Sequence, residues 1–285
     1  MESAQKKHEH VIGIFIDLSK AFDTIDHEML LHKLNHYGIR GSAHSLLKSY
    51  LTDRMQYTTV LNESSNYNKI KYGVPQGSVL GPLLFIIYIN DIVNCTTKAH
   101  FVLFADDTNI FVVDKSEKEA YEKVAKPVYP CSARAARLLG RTRAQVYACL
   151  GNEKAYKVLN SVNTFMKLNK LHINKSKCYF IHFKPRKRAH TSKNSNDNES
   201  ESENTFVLKI AGEDIKKVSE TKFLGITIEE KLSWDGQIKN VKRKLNFATA
   251  SLNRIKNNLP EHMHKDLYRT LFEPHLTYCI YISLG

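Results

Sequence analysis

The hydrophobic pattern of this chain switches between strand-length apolar runs and helix-spaced stripes. Val11 to Ile16 is an apolar run that ends at Asp17, and Phe101 to Ala105 and Asn109 to Val113 are two more. Such short runs, bounded by polar residues, read as strands. The latter two flank a turn carrying Asp106 and Asp107, which predicts a β-hairpin with two acids at its tip. Met29, Leu30, Leu34 and Tyr37 recur at helical spacing after Asp26, a residue suited to capping a helix, and Gly38 stands where that helix should stop. A second helix is expected from Ala43 to Leu51. Gln56 to Leu61 and Asn68 to Tyr72 read as β segments joined by the polar turn Asn62 to Asn66. Gly73 to Pro82 is a glycine and proline loop that opens into an apolar helix, Leu83 to Ile89. Later, Phe206 to Ile210 reads as a strand and Ala211 to Asp214 as a turn. Ile238 to Ile255 is expected to be a basic helix with Ile238, Val241, Leu245, Leu252 and Ile255 along one side.

The acids give this pattern a chemistry. Neighbouring side chains on a strand point to opposite faces, so Asp106 and Asp107 alone would not aim at one metal ion. Asp17 is the best third acid: two strands side by side would bring it to Asp106 at one sheet edge, where oxygen ligands suit two divalent cations for phosphoryl transfer. The Gly73 to Pro82 loop lets backbone approach a ligand closely, and Gln76 within it can both donate and accept hydrogen bonds.

Charge narrows the partners. The 285 residues allow one large or two small domains, and 42 Lys and Arg against 29 Asp and Glu give a formal charge of +13. That excess favours a polyanion such as nucleic acid. Five cysteines (Cys95, Cys131, Cys149, Cys178 and Cys279), scattered with no C-x-x-C pair, suggest neither a disulfide framework nor a zinc site. Met1 to His10 is polar and charged and no apolar run approaches transmembrane length, so neither a secretion signal nor a membrane partner is expected.

Three stretches in order, Asp17 to His27, Gly73 to Pro82 and Phe104 to Asp107, resemble the successive palm motifs of a reverse transcriptase of the non-LTR (LINE-type) retrotransposon family. Leu171 to Lys177 is similar to the family's next palm motif, and Phe223 to Ile228 to its primer-grip hairpin. The resemblance implies an α+β polymerase palm over residues 1–232, an antiparallel sheet covered by helices, followed by a helical thumb over 233–285. It implies that Asp17, Asp106 and Asp107 are catalytic and ligate two Mg²⁺ ions, with Mn²⁺ as an alternative. Phe22 would be the aromatic gate that excludes a 2′-hydroxyl, and Gln76 and Gly77 would line the template and nucleotide pocket. Lys177 would approach the pyrophosphate leaving group, with Lys175 close enough to leave the register open. Phe223, Leu224 and Gly225 would grip the primer. The implied partners are an RNA template, a DNA primer, dNTPs and the rest of a longer retrotransposon polyprotein, and the implied location is a cytoplasmic ribonucleoprotein with nuclear access. A nucleotide cyclase also uses paired carboxylates and two metals, but Phe22 and Pro75-Gln76-Gly77 match the polymerase pattern.

The chain also departs from that family. Ala125 to Asn152 holds Lys126, Arg134, Arg137, Arg141 and Arg143 with no acid, and reads as an insertion or a mis-joined reading frame; the alternative is an RNA-binding basic helix. The polar run at about 189–204, after the basic cluster Lys184 to Arg188, is expected to be a disordered surface loop. Lys231 to Arg269 carries nine basic residues against three acids, as a thumb that follows duplex phosphate would. The family's finger segments hold the incoming triphosphate, and Met1 to His10 matches none of them. Losing that electrostatic clamp should cut activity severely, which leaves a catalytically inactive fragment that at most binds nucleic acid as the second reading.

Overall fold

The computed structural model describes residues 7–125, 158–185, 207–255 and 259–278. Strand β1 (His10–Ile16) leads through a 3-10 turn at Ala21–Asp23 into helices α1 (His27–His36) and α2 (Gly41–Leu51). Four short strands, β2 (Met55–Gln56), β3 (Thr59–Val60), β4 (Glu63–Ser64) and β5 (Asn68–Lys69), then form one long hairpin, with β2 on β5 and β3 on β4. Helix α3 (Leu80–Ile89) and a 3-10 segment, Asn90–Cys95, precede strands β6 (His100–Phe104) and β7 (Asp107–Asp114). Next come α4 (Glu117–Ala125), α5 (Val158–Leu168), β8 (Tyr179–Phe183), β9 (Leu208–Ile210) and β10 (Glu213–Lys217). The hairpin β11 (Glu220–Phe223) and β12 (Ile226–Glu229) is followed by α6 (Asp235–Ile255), α7 (Glu261–Leu271) and α8 (Glu273–Thr277).

Six strands make the main sheet in the order β6-β7-β1-β8-β10-β9. Central β1 pairs antiparallel with β7 over its whole length and with β8 on its other edge. The mixed class is as expected, with one correction: β8 and β10 run parallel, so the sheet is not wholly antiparallel.

Strand alternation gives the sheet two different faces. Ile12, Ile14 and Ile16 of β1, with Ile110, Val112 and Phe180, join Leu30, Leu34, Leu84, Phe85, Val162 and Phe165 in the main core, so the helices cover this face. Val11 and Phe15, with Ile181, Phe183 and Leu232, form a second core against which Phe111, Phe223 and Ile228 pack. A hairpin, β11–β12, therefore covers part of the opposite face. Gly13 makes room there: a Cβ on it would meet the rings of Phe183 at 3.0 Å and Phe111 at 3.1 Å.

One charge lies inside the helical layer. Lys33 of α1 is fully buried, and its ammonium donates to Asp91 Oδ1 at 2.7 Å and to the Tyr88 carbonyl at 2.5 Å. Burial lowers its pKa, opposed by the attraction of Asp91.

Several expected boundaries move. Helix α3 begins at Leu80, with Gly81 and Pro82 in its first turn, where a missing proline N–H costs nothing. The long hairpin turns at Leu61 and Asn62, not over Asn62 to Asn66, because both residues adopt positive φ (48° and 69°), the sign pattern of a tight type I′ turn. The basic helix starts at Asp235, two residues after the expected thumb boundary, and only Ala248 of it is buried. Except for Ala125, the basic stretch to Asn152 lies outside the described residues, as do the polar run at 189–204 and Cys131, Cys149 and Cys279.

Candidate active site

Asp17 follows directly on β1. The β1–β7 register ends with Ile16 opposite Thr108, and one further step sets Asp17 against Asp107. By strand alternation these two share the face of Phe15 and Asn109. All four line one cleft of about 360 Å³, with Lys177, Tyr179, Lys222 and Phe223. Asp106 takes the second position of the two-residue turn between β6 and β7, directly before Asp107 and after Ala105 at φ +50°. The cleft brings Asp17 together with Asp107, and Asp106 adjoins them at the turn, close enough for its charge to act on Asp107.

Asp107 feels the other two carboxylates. Partial burial, then the charges of Asp106 and Asp17, raise the Asp107 carboxyl above its ordinary value. Among the described residues no group of three or more His, Cys, Asp or Glu side chains is gathered as a metal site. The donors at the cleft are nonetheless hard carboxylate oxygens, the set that suits Mg²⁺ or Mn²⁺ over softer metals.

Lys177 reaches this cleft through a stitched segment. Asn174 N–H donates to the Asp17 carbonyl at 2.9 Å, Ser19 N–H donates to the His172 carbonyl at 2.7 Å, and Leu18 bridges Ile173. The 3-10 turn Lys175–Lys177 that follows brings Lys177 Nζ to 3.7 Å from Asp17 Oδ2. Lys175 instead pairs with Glu213. Of the two lysines, Lys177 is the one that lines the cleft of Asp17 and Asp107.

Phe22 and Gln76 belong to a neighbouring construction. Phe22 packs on Phe85 with ring centroids 5.0 Å apart, and its carbonyl accepts from Val74 N–H at 2.8 Å. Gly73 N–H donates to the Ile25 carbonyl at 2.8 Å, and the His27 ring lies 2.6 Å from the Gly73 carbonyl. Gln76 Nε2 donates to Asp23 Oδ1 at 2.8 Å. Gly73 has to be glycine: φ is +86°, and a Cβ would lie 2.8 Å from Asp23 Cα. Gly77 also has positive φ, in open space. The Gly73 to Gly77 loop and the Phe22 segment are thus tied into one unit, outside the cleft of Asp17 and Asp107.

Phe223, Leu224 and Gly225 form the tip of the β11–β12 hairpin, where Leu224 and Gly225 both take positive φ. Phe223 meets Phe15 edge-on at 5.9 Å, and the Tyr278 hydroxyl donates to the Leu224 carbonyl at 2.5 Å. The hairpin is also fixed to α6, since Thr227 N–H donates to Gln237 Oε1 at 2.9 Å and Gly236 N–H to Glu229 Oε1 at 2.9 Å. Sequence reasoning missed Lys222, Asn109 and Tyr179 in the cleft. Asn109 had a readable signal, two positions after Asp107 and so on the same strand face.

Residues 1–135 match the family described as reverse transcriptase (RNA-dependent DNA polymerase). Over 278 residues, 96% of this chain, it is 23% identical to the RNA-directed DNA polymerase from mobile element jockey of Drosophila melanogaster. Over 84 residues, 30% of this chain, it is 39% identical to the probable RNA-directed DNA polymerase from transposon BS of the same species. A solved telomerase from Candida tropicalis, in complex with the TWJ fragment of telomeric RNA, overlays 82% of this chain and 32% of its own at 12% identity and a TM-score of 0.45. The match to the reverse transcriptase family falls on the first 135 residues, and the relatives it is similar to are RNA-directed DNA polymerases of mobile elements. That family uses divalent metal ions and acts on nucleic acid. The chain spans 26% of the jockey polymerase and 9% of the BS polymerase.

Proposed function

We propose that this chain catalyses RNA-directed DNA synthesis, joining deoxynucleotides to the 3′-hydroxyl of a primer on an RNA template. The observation that carries the reading is the cleft shared by Asp17, Asp107, Lys177 and Phe223. In this reading Asp17 and Asp107, with Asp106 at the adjoining turn, would hold two Mg²⁺ ions. When bound, those ions supply Lewis-acid activation of the primer hydroxyl and neutralise charge on the leaving pyrophosphate.

The protein's own groups position the reactants. Lys177 approaches the pyrophosphate end of the nucleotide, and its ammonium offsets charge that grows there. Phe22, held against Phe85, presents an aromatic wall that rejects a ribose 2′-hydroxyl. Gln76 and Gly77 border the templating pair. Phe223 to Gly225, fixed through Tyr278 and Gln237, hold the primer end in line. Residues 1–232 are the palm in this division, and 233–285 contribute a thumb whose basic α6 follows the duplex.

Extension of a DNA primer annealed to RNA, with Mg²⁺ and dNTPs, tests the proposal. The wild-type chain should extend the primer, and a double Asp106→Ala, Asp107→Ala variant should lose at least about a hundredfold in rate, the scale of removing one major electrostatic group. No extension by the wild-type chain, with binding to the hybrid retained, would leave a polymerase-derived binding protein in its place.

A further inference from the structure

A second cleft, of about 440 Å³, opens where the long hairpin joins the Gly73 to Gln76 loop, and it shares no lining residue with the cleft at Asp17. Its size lies within the roughly 300–1,000 Å³ typical of small-ligand clefts, the scale of one nucleotide. One wall comes from a single face of the hairpin. The pairing of Gln56 with Asn68, and of Ile70 N–H with the Arg54 carbonyl, puts Arg54, Gln56, Ile70 and Tyr72 on that face by strand alternation. The other wall is Asp23, His27 and the loop through Gln76.

The lining suits one kind of ligand. Tyr72 is about half exposed, at 53%, and the Arg54 guanidinium lies 5.5 Å from the Tyr50 ring centroid, which leaves its other face and its N–H groups to a ligand. A tyrosine ring and a guanidinium are two flat surfaces on which an unpaired base can stack, and the guanidinium also answers a phosphate. Gln56, Gln76 and Asp23 supply donors and acceptors for a base edge or a 2′-hydroxyl. A triphosphate would want several cations and no Asp23, and an apolar peptide would want a drier wall. Tyr72 is held in place from behind: it bridges Asp26, and the Lys170 ammonium, paired with Asp26, lies 5.7 Å from its ring centroid.

We propose that this cleft takes one unpaired nucleotide of the RNA template, ahead of the position being copied. The inference rests on the polymerase reading, because Gln76 belongs both to this cleft and to the loop that borders the templating pair there.

Fluorescence anisotropy with a labelled RNA–DNA hybrid tests it on the chain as it stands. A hybrid with a 5′ RNA overhang should bind about tenfold tighter than a blunt hybrid at equal salt, within the range of base–aromatic stacking. Tyr72→Ala and Arg54→Ala should each remove most of that increment and leave blunt-hybrid binding unchanged, whereas Tyr72→Phe should keep it. Arg54→Ala should also lower the salt slope for the overhang hybrid by about one. A wild-type chain with no increment, or an increment that survives both substitutions, overturns the proposal and leaves the polymerase reading standing. A wild-type chain that binds neither hybrid overturns both. Should Tyr72→Ala lower the thermal midpoint, Arg54→Ala decides alone. Self-association that Tyr72→Ala abolishes would assign this face to a protein contact instead and overturn the RNA proposal.

Discussion

Two hairpins in this molecule share one local construction and meet opposite fates. The β2–β5 hairpin turns at Leu61 and Asn62, the β11–β12 hairpin at Leu224 and Gly225, and all four turn residues have positive φ. Every strand residue of the first is exposed, and Leu61 at its tip is 95% exposed. The second lays Phe223 and Ile228 on the core beneath β1 and is bonded to α6 and Tyr278. Turn chemistry makes a hairpin, whereas packing decides how firmly it is held, since a two-stranded ribbon alone is marginal in water. The anchored hairpin lines the acid cleft, and the projecting one joins the body at its root, through Gly73 and the Tyr72–Asp26 bridge.

If burial against the body sets the ranking, substitutions should follow it. The largest effect belongs to Asp91, whose loss leaves the Lys33 ammonium buried without its partner: Asp91→Ala should cost about 3–5 kcal/mol in urea unfolding. Acid should act next, on strand β8 of the main sheet. His182 is fully buried with its Nε2 3.1 Å from His10 Nδ1, and burial, then the charges of His10, Lys217 and Lys184, push its pKa down to about 4. Between that value and the ordinary 6.5 the unfolded chain binds the extra proton. Stability is therefore complete above about pH 6.5 and falls as pH drops toward 4, by up to about 3 kcal/mol. Melts at pH 7 and pH 5 should show the loss, and His182→Gln should flatten it.

Third come the two glycines. Gly73→Ala at the root of the projecting hairpin brings a Cβ to 2.8 Å from backbone and should cost about 3 kcal/mol and most primer extension. Gly225→Ala has similar φ but its nearest neighbour is 3.6 Å away, so about 1 kcal/mol is expected. Equal costs at the two sites would break the comparison. Smallest is the contrast in aromatic rings: Phe223→Ala should cost about 2 kcal/mol, while Tyr57→Ala, which touches Tyr67 on the exposed hairpin, should stay within about 0.5 kcal/mol.

Much of the site was legible because its residues sit at pattern breaks. Asp17 ends an apolar run, Asp106 and Asp107 divide two others, and Phe223 to Ile228 opens a hairpin, so strand placement followed from local sequence. What local sequence does not encode is pairing. That Asp107 shares a cleft with Asp17 depends on a register set by residues about ninety positions apart, and the parallel run of β8 beside β10 leaves no trace in either strand. Lys33 had half a signal, since it lies on the Leu30 and Leu34 stripe of α1, but its partner Asp91 arrives from another element. The second cleft was hidden for the same reason: Arg54, Tyr72 and Asp23 are ordinary residues until the hairpin folds back on the loop.

The central position of β1 also has a consequence for how the chain comes off the ribosome. Its two neighbours, β7 and β8, end at Asp114 and Phe183, so the innermost strand is made long before either edge that will satisfy its backbone. At about 5–20 residues per second, β1 waits roughly ten to thirty seconds for β8. During that interval an apolar segment with unpaired amides and carbonyls is exposed to chaperones and to other nascent chains, and such late, long-range closure makes folding slow.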